Sequence, residues 1–155
     1  EAQTVAVVLS SKDFRGEEQR MAGFIQALTD RAPYLKTIAV SEGYGIDTLT
    51  FTQMRKALEQ DPSIQSVYSV GGGNSAILRA FAAMQREIKV FIGHDLDEEN
   101  RSLLAAEKMD AVIDHDLCED ARSAFSAILR FHGFLPETEN EIAPSRVIVV
   151  TPYNI

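Results

Sequence analysis

The sequence predicts an α/β fold, a three-layer arrangement in which a parallel sheet carries helices on both faces. Three observations lead there. Six short apolar runs recur along the chain, and they are continuous rather than alternating, as strands buried on both faces should be. Stretches with helical periodicity separate them, and strand-helix alternation implies right-handed βαβ units. The length, 155 residues, suits a single domain able to bury roughly 70% of its unfolded surface.

The elements follow in order. The first strand is VAVVLS, 5–10. Met21, Phe24, Ile25 and Leu28 then repeat at i, i+3, i+4 and i+7, and Arg31-Ala32-Pro33 closes that helix. KTIAVS, 36–41, is the second strand, followed by the stripe Phe51, Met54, Leu58 and a stop at Asp61-Pro62. The third strand, SVYSVG at 66–71, runs into Gly71-Gly72-Gly73 and a helix for which Asn74 or Ser75 would be the N-cap. Either something approaches the backbone at these glycines or the turn is only tight. KVFIGHD, 89–95, is the fourth strand, and Asp97 caps a short helix that includes Asn100 and Arg101. DAVIDHD, 110–116, is the fifth strand, and Leu117, Ala121, Ala124 and Ile128 mark the last helix. Residues 1–133 thus form the main unit. Residues 134–155 hold a polar, two-proline linker (134–145), the late strand RVIVVT (146–151) and a tail.

Composition narrows the function. The formal charge is −8 and the pI about 4.8. No basic patch stands out, so this segment is not expected to bind nucleic acid by itself. The single cysteine, Cys118, excludes an internal disulfide and a cysteine metal cluster, and it reads as a small core residue. No apolar run approaches the ~18 residues of a membrane span. No signal peptide is visible. The chain starts almost directly in a strand and without Met, which suggests a segment of a longer protein.

In an open parallel sheet, ligands bind beyond the carboxyl ends of the strands. Those ends collect Ser10-Ser11-Lys12, Ser41-Glu42, Gly71 to Asn74, Gly93-His94-Asp95 and Asp114-His115-Asp116. The set suits a polyhydroxylated ligand, because carboxylates accept from hydroxyls while Arg and Asn donate to ring and hydroxyl oxygens. Each residue also has a plainer reading. Asp95 could cap a loop, His115 could be merely solvated, and Arg20 could be an ordinary surface arginine. His94 reads as a packing residue behind the site. GGGNS lacks the lysine of a P-loop and the spacing of a dinucleotide fingerprint, and no G-x-S-x-G elbow is present. The Asp and His residues lack fixed metal-ligand spacing. We therefore expect no enzyme activity, no cofactor and no metal.

RGEEQRMAGF (15–24), VYSVGGGNSAILRAF (67–81), KVFIGHDLDEENRSLL (89–104) and DAVIDHDLCEDARSAF (110–125) occur in that order. Together they resemble the effector-binding region of LacI-type transcriptional regulators and the related periplasmic sugar-binding proteins. The resemblance runs from Val5 to Asn154. It implies one subdomain, the carboxyl-terminal one, of a type I periplasmic-binding-protein fold, with the ligand held in a cleft between two subdomains. Arg20 matches the arginine of the R-x-x-G-F helix, which in the family reaches the effector. Asp95 matches the aspartate of the G-[FYH]-D strand end, which accepts hydroxyl hydrogen bonds. His115 falls where relatives often carry Gln. Where many relatives have an Asn-Asp contact pair, this chain has Gly71 and Gly72, with Asn74 further on. Ser11 lies in the variable first loop. The ligand-binding set is therefore Arg20, Asp95, His115, Asn74, Gly72 and Ser11.

The resemblance implies a sensing domain for a sugar-like effector in a bacterial, cytoplasmic, homodimeric regulator. Operator DNA would be bound by a separate N-terminal domain and controlled allosterically. A periplasmic sugar-binding protein of an ABC transporter is the alternative. A free-standing flavodoxin-like enzyme or phosphoacceptor is a third reading.

Overall fold

The computed structural model describes residues 3–136 and 145–155. Eleven elements alternate: β1 (Thr4–Val8), α1 (Arg15–Arg31), β2 (Lys36–Val40), α2 (Asp47–Gln60), β3 (Ile64–Ser69), α3 (Asn74–Ala83), β4 (Val90–His94), α4 (Glu98–Ala105), β5 (Ala111–His115), α5 (Leu117–Phe131) and β6 (Val147–Val150). The strands form one sheet in the order β2-β1-β3-β4-β5-β6. The first five are parallel, and β6 returns antiparallel to β5. The α/β expectation therefore holds, with one antiparallel edge.

The continuous apolar strands fill both faces, as their composition demands. On one face Ala6, Val8, Val67, Phe91 and Val112 pack under Met54 and Leu58 of α2, Ile77 and Phe81 of α3 and Leu104 of α4. On the other, Val5, Val7, Leu9, Tyr68 and Val70 pack with Met21, Phe24 and Leu28 of α1. The stripes on α1 and α2 are thus core-facing. Fully burying such a side chain, as at Met54 and Leu58, is worth about 1.5–3 kcal/mol.

Helix α5 departs from that pattern. Like α1 it has no fully buried residue, but its apolar stripe does not pack on the core. Leu117 is 70% exposed, Phe125 62%, Ile128 55% and Phe131 86%. Its apolar stripe forms a helix as expected but faces outward. Cys118 is exposed with it, which corrects the core reading. It stands at the first turn of a helix whose half-buried positions are Asp120, Ser123, Ser126, Ala127, Leu129 and Arg130. The N-cap of α3 also differs. Gly73 occupies it in the left-handed region at φ 73° with no side-chain cap, and Asn74 is already helical. Most of the expected linker, residues 137–144, lies outside the described residues.

Candidate functional site

The parallel register sets the carboxyl ends of β1, β3, β4 and β5 along one edge, and the loops that leave them form its surface. At β1, Glu17 of α1 accepts from Ser10 N at 2.7 Å and from the Ser10 hydroxyl. Ser11 is buried, and its Oγ accepts from Asp13 N at 3.2 Å. At β3, a Cβ on Gly71 would collide with Ser10 N and Leu9 C of the adjacent strand. Close packing of the turn explains that glycine. Gly72 differs: its φ is +79°, yet open space lies where a Cβ would point.

The loop after β4 is clamped. Asp97 accepts from Asn100 N at 2.7 Å, the N-cap expected from the sequence. The Asn100 amide donates to His94 O at 2.9 Å and to Asp95 O at 2.7 Å. Its oxygen accepts from Asn74 Nδ2 at 2.6 Å. Asp114 adds a bond from Leu96 N at 3.0 Å. These partners hold Asp95 at φ 63°, an unusual conformation that Asp tolerates better than most residues. Its N–H donates to Ile113 O at 2.9 Å, while the side chain stays exposed. Glu42, Tyr44, Gln85 and Glu107 share this left-handed backbone; Asp95 adds to it a position at the carboxyl end of β4 and an outward-facing side chain.

Beside it stands a cationic and aromatic cluster. The half-buried Arg20 reaches from α1 to β5, its Nη2 3.2 Å from His115 Nε2. The His115 ring stacks on His94 with centroids 6.4 Å apart. His94 Nε2 is 2.6 Å from the Tyr68 hydroxyl, and Tyr68 stacks on Phe24 at 4.4 Å. Burial, with the nearby Arg20 charge second, pushes His94 down to about 4, so its imidazole is neutral near pH 7. Burial also raises the Tyr68 phenol. His94 is thus the packing residue expected behind the site.

The structure therefore joins Arg20 and His115 directly and sets His94 beside them. It holds Asn74 at 1% exposure, bound to Asn100, and Ser11 at 2%. Both support the edge from within in this conformation. Asp116, a strand-end candidate, caps α5 by accepting from Glu119 N at 3.0 Å. The sequence reading missed Glu17 and Tyr68. Glu17 lies one helical turn before Arg20 on α1, but only the fold shows that it meets Ser10.

The described residues contain no group of three or more His, Cys, Asp or Glu placed to hold a metal ion. No described helix is long and apolar enough to cross a membrane. Concavities occur beside Ser41, Glu42 and Lys56, and below α3 around Phe81, Arg86 and Lys108. Neither contains the Arg20–Asp95 edge. Side-chain chemistry favours the edge over these hollows, because it gathers donors, acceptors and an imidazole on an open floor.

Comparison with known proteins agrees with this architecture. No curated protein sequence matches the chain significantly. Among solved structures, a glucose-galactose binding protein from Geobacillus stearothermophilus superposes with a TM-score of 0.85 at 15% identity, over 99% of this chain and 54% of that one. An arabinose binding protein from the same organism gives 0.79 at 18% identity, over 98% and 55%. A carbohydrate transporter solute binding protein from Agrobacterium radiobacter, in complex with D-arabinose, gives 0.81 at 19% identity, over 98% and 52%. The chain spans about half the length of these proteins. Residues 1–131 match the periplasmic binding protein domain family, and the chain belongs to it.

Proposed function

We propose that this chain is the carboxyl-terminal half of a bilobed receptor for a sugar or related polar small molecule, acting as the effector-sensing part of a LacI-type transcriptional regulator. The observation that carries the ligand reading is the carboxyl edge of the sheet. There Asp95 presents an acceptor from a strained backbone and Arg20 supplies guanidinium donors beside His115. Such a pair brackets a polyol, the carboxylate taking hydroxyl protons and the arginine giving its own to oxygens. The similar structures named for arabinose and for glucose and galactose support a sugar as the ligand class. The ordered motifs from Arg15 to Phe125 support the regulator reading. In it the effector favours one orientation of two subdomains and changes operator affinity through that coupling. Such a protein would be cytoplasmic and homodimeric, with DNA held by a separate domain.

A transport receptor is the second reading, favoured by the sugar-transporter binding proteins among the similar structures. Fluorescence anisotropy separates the two. The full-length parent protein is titrated onto DNA from upstream of its own gene, with and without a panel of pentoses and hexoses. The regulator reading predicts tight, salt-sensitive DNA binding that a sugar shifts by tenfold or more. Sugar affinity without DNA affinity would instead establish the transport reading.

A further inference from the structure

Four side chains form a connected path from α1 to α5 through His115. Arg20 Nη2 lies 3.2 Å from His115 Nε2. A guanidinium only donates, so Nε2 must be the acceptor and the ring proton must sit on Nδ1. His115 Nδ1 lies 3.3 Å from Ser145 Oγ. Ser145 Oγ lies 2.7 Å from Asp120 Oδ2, and an ionised carboxylate only accepts. The serine hydroxyl therefore donates to Asp120 and takes the Nδ1 proton on a lone pair. One proton arrangement satisfies every partner: neutral His115 as the Nδ1–H tautomer.

We propose that His115 is a positioning residue rather than a ligand contact, fixed by Ser145 and Asp120 as the neutral Nδ1–H tautomer so that Nε2 orients Arg20 along the carboxyl edge. Its purpose rests on the reading of Arg20 as a ligand contact; the tautomer itself does not. The other titratable groups around His115 are His94 of β4, whose ring stacks on it, and Asp114 and Asp116 beside it in the chain. None of these replaces Nε2 as the acceptor for Arg20. When His115 takes a second proton, Nε2 becomes a donor facing a guanidinium. The hydrogen bond is then lost and two like charges repel. The orienting contact therefore needs the neutral ring.

Nitrogen-15 NMR of the imidazoles in this chain tests the tautomer without any ligand. The wild type is expected to show the Nδ1–H pattern for His115 in its neutral form. Arg20→Ala, which frees Nε2, and exposed-side Ser145→Ala, which unpartners Nδ1–H, should each shift the equilibrium toward Nε2–H. A dominant Nε2–H form in the wild type overturns the proposal. Calorimetry on the two-subdomain protein with a sugar that binds then tests the purpose. Affinity should fall by roughly tenfold in His115→Ala, the loss of about one charged hydrogen bond. His115→Gln, whose amide oxygen can accept from Arg20, should restore it, and His115→Ala should cost nothing further when Arg20 is already alanine. Unchanged affinity in His115→Ala overturns the orienting role. If no sugar binds while the tautomer is as stated, the ligand reading falls and the proton arrangement stands.

Discussion

His94 shows how much one residue can carry. It is 8% exposed, it is bonded to Tyr68 through Nε2, and its Nδ1 has no partner among the described residues. A neutral imidazole fits that setting and a charged one does not. Folded His94 titrates at about 4 against 6.5 for the free side chain. As pH falls from 6.5 towards 4, the unfolded chain takes up a proton that the folded chain refuses, so stability declines across that window and levels off below it. The linked loss is about 3 kcal/mol. Urea midpoints measured across that range should fall for the wild type and stay level, as far as this residue contributes, for His94→Gln. The sequence placed His94 behind the site, but its partner was not legible. The register pairs Tyr68 with Ile92, not with His94, so the contact needs the longer β4 end and the reach of a tyrosine.

The elements were more legible than their surroundings. Continuous apolar runs located all six strands to within about two residues; burial on both faces explains the runs of β1 and β3, whereas β6 keeps its apolar run with Val147 to Val149 exposed. The β4–α4 connection was legible in part. Asp97 announced a cap, but nothing in the spacing announced that Asn100 would hold two carbonyls and Asn74 together. Asn100→Ala leaves those buried groups unpaired and should cost about 2–4 kcal/mol in urea unfolding, with Asp95 released from its φ. The glycine turn divides by position. Gly71→Ala forces β1 and β3 apart and should cost about 3 kcal/mol or more. Gly72→Ala meets no neighbour and should cost about 1–2 kcal/mol, from backbone conformation alone. Equal losses at the two sites would contradict this account. For α5, periodicity correctly gave a helix and an apolar face but not what that face meets. A stripe reports which residues share a side, and in this chain Leu117, Phe125, Ile128 and Phe131 share the exposed one.

At the scale of the molecule, a parallel sheet gathers the ends of its strands whatever their sequence, and the residues placed there decide the chemistry. The fold class and the edge follow from strand boundaries, and Arg20 and Asp95 were singled out through the family resemblance; the contact of His115 with Arg20 was not legible. Nor was the inward turn of Ser11 and Asn74, since a small polar residue at a strand end serves a loop as readily as a ligand. An open edge on a chain about half the length of its structural neighbours fits one wall of a cleft, and a ligand held from one wall alone forfeits the contacts of the other. The most direct test of the proposed receptor is therefore titration calorimetry of the full-length protein with a panel of pentoses and hexoses, comparing the wild type with Arg20→Ala and Asp95→Ala. The account predicts that each substitution weakens binding by at least roughly tenfold, the worth of a charged hydrogen bond, while both variants unfold at the wild-type urea midpoint to within about 1 kcal/mol. Unchanged affinity in both variants would place the ligand elsewhere on the molecule and contradict it.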